Sequence, residues 1–214
     1  MFRGRWRIIT AIAIVAGVAW ASPRPGTRPT AWQLDIDFHD PQPITVRLPG
    51  DEADTTYWYV LYTVTNNSGQ DIPFYPTFVI VTDRLDTIEG GDGISPTVVD
   101  AVKARHRQVY QFFMYPAEVY GTLRQGEDNA LTSAVVFQPP DPAVNQFTLL
   151  IGGLSGEIVR IKNRAFDVAA GESPDNARFL MLRKTLAADY HIPGDLETRG
   201  TAEPMRVDLK WVMR

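Results

Sequence analysis

The 214-residue sequence contains no cysteine, and this absence excludes several classes of protein. Disulfide scaffolds, catalytic thiols, cysteine-based zinc sites and blue-copper sites all require that residue. Histidine is also scarce, because only His39, His106 and His191 occur and no two of them lie two or four positions apart. Zinc enzymes need two or three such ligands converging with carboxylates. The sequence therefore contains no pattern typical of catalytic zinc.

The sequence also lacks an excess of basic residues and a hydrophobic run long enough to cross a membrane. Lys and Arg number 21 against 25 Asp and Glu, a formal net charge of −4. This balance argues against a nucleic-acid partner held through its phosphates. The longest apolar run, residues 8–21, has 14 residues, whereas a membrane-spanning helix needs about 20. We expect no nucleic-acid binding and no transmembrane helix after residue 21.

What is present at the N-terminus is the pattern of a secretory signal peptide. Arg3, Arg5 and Arg7 precede the short apolar run, and Ala19–Ala21 supplies small residues at the −3 and −1 positions. A basic patch, a short apolar core and a small-residue cleavage site define such peptides. We predict that residues 1–21 are cleaved, the alternative being an uncleaved anchor. The protein is then exported to the periplasm or the extracellular space.

The remainder divides into a short lead-in and a single domain, residues 32–214. Residues 22–31 are rich in proline without an apolar pattern, as in a flexible or extended linker. From Trp32 onward, apolar and polar residues alternate in short segments, which is typical of half-buried strands. The predicted strands cover residues 32–38, 44–48, 56–65, 78–82, 131–137, 147–151, 157–162, 178–190 and 205–213.

Three of these segments carry more specific expectations. Residues 56–65 are apolar on both faces, so we expect a central strand. After the turn residues Asn66–Gly69, residues 78–82 are predicted to return beside it. The alternation over residues 205–213 predicts that the C-terminal strand belongs to the core.

One helix is predicted over residues 96–108. Ser95 and Pro96 are residue types favoured at the N-cap and the first helical position, and Val98 and Val102 lie on one helical face with His106. Many strands with one inserted helix predict a mainly β fold, an antiparallel β-sandwich.

The run Tyr59–Gly69 (YVLYTVTNNSG) resembles the central strand and turn of immunoglobulin-like modules in bacterial exported proteins, where the pattern Y-x-V-x-N-x-S/T-G is frequent. Residues Ala134–Phe137 and Phe147–Ser155 resemble later strands of secreted bacterial proteins of unknown function. The resemblance implies an immunoglobulin-like sandwich and no particular reaction. The cystine core of antibody domains is missing, so the likeness is to the broad class.

The aromatic strand offers a candidate ligand-binding surface. Because successive side chains of a strand point to opposite faces, Trp58 and its even-numbered neighbours share one face and Tyr57, Tyr59 and Leu61 share the other. If exposed, this second face is an apolar patch for a protein partner or for sugar rings. The alternative is that a sheet or the helix covers it, and the aromatic residues then belong to the core.

The acidic, glycine-rich loop after residue 85 offers a candidate calcium site. Asp86, Glu89 and Asp92 supply carboxylates among exposed backbone carbonyls, the oxygen ligands that calcium prefers. Their spacing does not fit the EF-hand loop, and the alternative is an ordinary exposed turn. No other cofactor is expected.

The segment around Ser155 has part of a hydrolase nucleophile elbow. Gly153 precedes the serine at the required spacing, but Glu157 occupies the position of the second glycine and no helical pattern follows. We therefore predict a turn at the end of a strand.

Together these features predict an exported, non-enzymatic binding or structural module of the cell envelope or extracellular space. Its partner would be an envelope or extracellular protein, or a polysaccharide. The first alternative is a carbohydrate-binding module that presents exposed coplanar aromatic rings. The second is a hydrolase whose carboxylates, such as Asp35, Asp37 and Glu118, meet only in the folded chain.

Overall fold

A computed structural model describes residues 23–26 and 31–214. The predicted signal peptide and half of the predicted lead-in lie outside the described residues. No helix within the described ranges is both long and apolar enough to cross a membrane.

In chain order the strands and the α-helix are β1 (Asp35–Phe38), β2 (Gln42–Val46), β3 (Thr55–Thr65), β4 (Ile72–Phe74), β5 (Thr77–Thr82), β6 (Thr87–Glu89), α1 (Pro96–His106), β7 (Gly121–Leu123), β8 (Leu131–Phe137), β9 (Gln146–Gly152), β10 (Ile158–Lys162), β11 (Phe179–His191) and β12 (Met205–Met213). Short 3₁₀ helices cover Pro116–Glu118, Glu127–Asn129 and Arg199–Thr201.

The first sheet is built around β3. Strand β8 pairs with one edge of β3, while β1 and β2 each pair with a different half of β3, all antiparallel. Strand β3 is buried from Tyr57 to Tyr62. The prediction of a central strand is confirmed.

The second sheet contains β5, β6, β9, β10, β11 and β12, again with antiparallel pairing. Strand β5 lies between β6 and β9, so the prediction that it returns beside β3 is wrong. After β3 the buried Asn66 side chain donates to the carbonyl oxygens of Gln70 (2.8 Å) and Leu123 (2.9 Å). These bonds hold the chain against β7, with which β4 pairs, before the chain enters the other sheet.

The two large sheets enclose the main core. The ring of Trp58 lies 5.4 Å from that of Phe147, and the ring of Tyr62 lies 4.8 Å from that of Phe78. Aromatic pairs at such distances add to the free energy gained from burying their surface. The mainly β, antiparallel sandwich class with one helix is confirmed, and the immunoglobulin-like strand order remains a prediction.

Helix α1 covers the opposite face of the first sheet. Its N-cap residue Ser95 accepts the Thr97 N–H at 3.4 Å, and Pro96 occupies the start of the helix. The buried Val98, Val99 and Val102 form its packing face. The predicted helix is confirmed, although it ends at His106.

The C-terminal strand β12 is less buried than its sequence predicts. Among the described strands it pairs with β11 alone, and Met205, Val207 and Leu209 remain 62%, 71% and 46% exposed. The prediction that the C-terminal strand belongs to the core is therefore wrong for the first half of β12, residues 205–209. The reason is that β12 lies at an edge of the wider second sheet, where a register shift opposite Asp189 and Tyr190 also interrupts the alternation.

Candidate functional site

Helix α1 covers the aromatic face that was the candidate ligand surface. Tyr57, Tyr59 and Leu61 are 5%, 1% and 1% exposed, and they belong to one apolar cluster with Val98 and Val102. Three apolar helix positions facing an apolar sheet face bury both surfaces. The structure therefore contains the covered arrangement, and these three side chains form a packing layer rather than an exposed ligand surface.

The three candidate calcium ligands are not gathered into a site. Glu89 ends β6, which is held in the ladder with β5, while Asp86 precedes that strand and Asp92 follows it. An extended strand separates its ends by about 3.3 Å per residue. Over residues 23–26 and 31–214, no three acidic or histidine side chains converge to hold a metal ion.

Ser155 follows a bend at residues 153–154. Its hydroxyl group and the neighbouring Gly156 N–H form hydrogen bonds with backbone atoms. Its hydroxyl donates to the Trp32 carbonyl oxygen at 3.3 Å and accepts the Glu157 N–H at 3.2 Å. The Gly156 N–H also donates to Trp32, at 3.0 Å. This arrangement joins the segment that precedes β1 to the end of β9, which agrees with the predicted turn.

Two of the three carboxylates of the hydrolase alternative, Asp35 and Glu118, make local contacts, and Asp37 lies exposed on β1. Asp35 accepts a hydrogen bond from Asn67 at 2.9 Å. Glu118 accepts the Tyr115 N–H at 2.8 Å and so fixes the start of its own 3₁₀ helix.

A cavity of about 470 Å³ opens where the edges of the two sheets approach each other. Strand β8 of the first sheet lines one side and β5 of the second sheet lines another. Tyr62 of β3, residues 89–99 with the first half of α1, and residues 115–120 complete the lining. Sequence reasoning missed this site, because its walls come from five separate segments.

Two glycines connect the sheets at this cavity. The Gly90 N–H donates to the Phe78 carbonyl oxygen of β5 at 2.9 Å, and the Gly91 N–H donates to the Val136 carbonyl oxygen of β8 at 2.7 Å. A Cβ on Gly90 would overlap the Val135 side chain and lie 3.2 Å from the Phe78 oxygen. The glycine-rich loop therefore allows a backbone approach that a larger residue would block.

The cavity walls are mainly apolar, with a few polar groups. Val99, Val135 and Phe78 supply apolar surface, while Tyr62 and Glu89 supply a hydroxyl and a carboxylate. Burial raises the pKa of Tyr62, so this phenol stays neutral and both donates and accepts hydrogen bonds.

Tyr115 is held firmly beside the cavity. Its hydroxyl donates to Asp100 of α1 at 2.6 Å, and this bond to a carboxylate raises the pKa of Tyr115. The Lys103 ammonium lies 4.3 Å from the centre of its ring, within cation–π distance. The helix therefore fixes one wall of the cavity.

Two exposed tyrosines lie at the edge of the cavity. Tyr120 lines the cavity, and its ring lies 6.3 Å from that of Tyr75 with an angle of 25° between their planes. Both side chains are more than half exposed. Exposed aromatic rings that are nearly parallel offer a stacking surface.

Two histidines that are distant in the sequence meet near the C-terminus of α1. His106 Nε2 lies 2.8 Å from the Tyr59 hydroxyl, which donates to Gln42 Oε1 at 2.8 Å. His39 Nε2 lies 3.0 Å from the Tyr110 hydroxyl, and the rings of Tyr110 and His106 are 6.2 Å apart. Because the single Tyr59 proton goes to Gln42, His106 donates its Nε2–H to Tyr59.

Burial, with the nearby charges of Arg105 and His39, lowers the pKa of His106. His106, which the sequence places on the packing face of the helix, therefore also takes part in a polar cluster. No spacing in the sequence marks this cluster, since folding alone brings the two histidines near each other.

Neither a protein-family model, nor a curated protein, nor a solved structure matches the chain. No established activity can therefore be transferred to the cavity, and its function has to be inferred from its own residues.

Proposed function

We propose that this protein is an exported, non-enzymatic binding module of the cell envelope or extracellular space, and that its ligand enters the cavity between β5, β8 and α1. The cavity itself carries the proposal. Its volume of about 470 Å³ lies within the range of roughly 300–1,000 Å³ for small-ligand sites. Export is supported by the signal-peptide pattern of residues 1–21.

The chemistry of the walls narrows the choice of ligand. Apolar side chains dominate the lining, and Tyr62 and Glu89 provide the polar contacts. Such sites bind through the apolar surface and orient the ligand through a few hydrogen bonds. A ligand group with an apolar body and a hydrogen-bond donor for Glu89 fits best, and a tyrosine or tryptophan side chain of an envelope protein meets both requirements.

A carbohydrate ligand is the second candidate, and the pair Tyr75 and Tyr120 favours it. Their exposed, nearly parallel rings provide the kind of surface on which sugar rings stack. This pair is separate from the buried tyrosines of β3 to which the sequence pointed.

A fluorescent probe of apolar cavities, 1-anilinonaphthalene-8-sulfonate, tests the first proposal. We expect saturable binding with enhanced fluorescence, because the probe leaves water for an apolar site. Ala117→Trp places a bulky side chain at an exposed position of the lining and should abolish the saturable signal. Ala170→Trp, at an exposed position that does not line the cavity, is the matched control.

Equal loss in both variants, or no saturable binding by the unaltered protein, contradicts the cavity as a ligand site.

A glycan array tests the second candidate. Capture that disappears in Tyr75→Ala and Tyr120→Ala but persists in Phe112→Ala, another exposed aromatic position, supports a carbohydrate ligand.

A further inference from the structure

The second sheet extends into a two-stranded segment formed by β10 and the first part of β11, residues 158–162 and 179–183, here named the basic arm. These ten residues include Arg160, Lys162 and Arg183 and no acidic residue, although the whole chain is acidic with a net charge of −4. The basic arm is therefore positively charged, whereas the whole molecule has a negative net charge.

One face of the basic arm alternates basic and apolar side chains across the two strands. Residues directly opposite each other in an antiparallel pair share a face. Each such pair on this face joins one apolar and one basic residue: Ile158 with Arg183, Met181 with Arg160, and Phe179 with Lys162. All six residues are exposed.

The aromatic member of this face is held by a neighbouring cation. The guanidinium carbon of Arg160 lies 3.6 Å from the centre of the Phe179 ring, which is a close cation–π contact. The Arg160 side chain therefore lies along the apolar surface instead of extending away from it.

A cavity of about 430 Å³ adjoins this face, and Arg183 belongs to both. Arg214 lines the cavity together with Arg183, and Thr77, Thr185 and Tyr75 also take part. Within the described part of the chain, no acidic side chain lines it. Two guanidinium groups among hydroxyl groups are typical of a site for phosphate.

Backbone pairing fixes these two arginines relative to each other. The Arg214 N–H donates to the Arg183 carbonyl oxygen at 3.2 Å, and the Arg183 N–H donates to the Arg214 carbonyl oxygen at 2.6 Å. Paired residues of this kind have Cα atoms about 5.5 Å apart and side chains on one face. This pairing uses the backbone groups of both residues and leaves their guanidinium groups to line the cavity.

We propose that this face docks on the surface of an anionic phospholipid bilayer. A headgroup phosphate binds between Arg183 and Arg214, while Ile158, Phe179 and Met181 enter the interfacial region. Interleaved basic and apolar side chains bind such surfaces through both charge and apolar burial. The acidic remainder of the molecule is repelled by the same surface, and this repulsion orients the arm toward it. The lipid site shares Thr77 and Val79 with the lining of the 470 Å³ cavity. No residue changed in the test below lines that cavity, and the lipid site does not depend on the proposed ligand.

Co-sedimentation with vesicles tests the proposal. The full protein is mixed at low salt with vesicles of phosphatidylcholine alone or of phosphatidylcholine with phosphatidylglycerol. Each basic side chain near an anionic surface contributes on the order of 1 kcal/mol, so we expect binding at least about tenfold tighter to the anionic vesicles. Binding should weaken as salt is added.

Variants then locate the surface. The double variant Arg160→Gln, Arg183→Gln should lose at least about tenfold in affinity for anionic vesicles, by the same reasoning. The control Arg84→Gln, Arg124→Gln removes the same charge from exposed positions elsewhere and should keep most of the binding. Met181→Ser should weaken binding while its salt dependence stays unchanged.

Four outcomes would overturn the lipid site. They are equal binding to both kinds of vesicle, equal losses in the double variant and its control, equally tight binding to polyglutamate, and saturable binding of inorganic phosphate without any vesicle binding. The last result would identify free phosphate as the ligand. Because none of these measurements involves the 470 Å³ cavity, their failure leaves the proposed function unaffected, and the reverse also holds.

Discussion

Lys184 and Glu157 form a buried ion pair. The Lys184 Nζ atom lies 3.2 Å from Glu157 Oε2, and the two side chains are only 4% and 8% exposed. The other carboxylate oxygen accepts the Gly26 N–H at 3.0 Å, and the Lys184 ammonium lies 5.1 Å from the Trp211 ring centre. This pair therefore ties the lead-in to the second sheet and to β12.

Removing one partner of this pair should be costly. Lys184→Met leaves the Glu157 carboxylate buried without its cation, and we expect a loss of about 3 kcal/mol in the free energy of unfolding. The double variant Lys184→Met, Glu157→Leu removes both charges and should lose clearly less. Urea unfolding of the two variants measures the difference. Equal losses would mean that packing, and not charge, determines the contribution of this pair.

The hydrogen bond from the Gly26 N–H to Glu157 should make the free energy of unfolding depend on pH. The Gly26 N–H, with help from Lys184, holds the pKa of Glu157 below its usual value of 4.5. Since the folded pKa is the lower one, the stabilisation is complete above about pH 4.5 and is lost as the pH falls further. Gly26→Pro removes the donor and should reduce the loss of stability between neutral pH and about pH 3.

Urea unfolding across this pH range provides the measurement. Pro25→Ala leaves the Gly26 N–H in place and should behave like the unaltered protein. An identical pH dependence in Gly26→Pro would show that the lead-in contact does not set the titration of Glu157.

Local patterns identify the strands because burial on one face imposes a period of two. The segment Leu131–Phe137 is both predicted and observed as β8. The same patterns do not state which sheet a strand joins, so β5 was predicted beside β3 although it pairs with β6 and β9. Between β3 and β5 the chain is held against β7 by the Asn66 bond and by β4, and these contacts with a distant segment leave no periodic signal in the sequence.

The candidate site was harder to predict than the fold. The alternation in β3 correctly divides Tyr57, Tyr59 and Leu61 from the opposite face, but it carries no information on what covers them. Helix α1, which follows about thirty residues later, provides that cover. The cavity likewise needs β5, β8 and α1 in their folded positions, and none of these elements has a motif for it.

Gly90 should tolerate no side chain. In Gly90→Ala the new Cβ overlaps a Val135 methyl group and lies 3.2 Å from the Phe78 carbonyl oxygen, and overpacking of this kind costs about 1–3 kcal/mol. Gly200→Ala is the matched control, because no described residue has an atom within 4 Å of a Cβ there. Thermal unfolding compares the two variants. Equal melting temperatures would contradict the close approach of Gly90 to β8.

His106 should make the protein less stable in mild acid. Burial, Arg105 and His39 lower its pKa in the folded state, so the unfolded chain binds a proton more readily near the usual histidine pKa of about 6.5. The contribution of neutral His106 is therefore complete above about pH 6.5 and is lost as the pH falls below that value. This range lies above the one in which Glu157 titrates, so the two effects can be separated.

His106→Gln keeps a donor for Tyr59 and cannot titrate, and it should flatten the decrease in unfolding free energy between about pH 7.5 and about pH 5.5. His191→Gln, at an exposed position at the end of β11, is the matched control, and a flattening of equal size in both variants would contradict the role of His106.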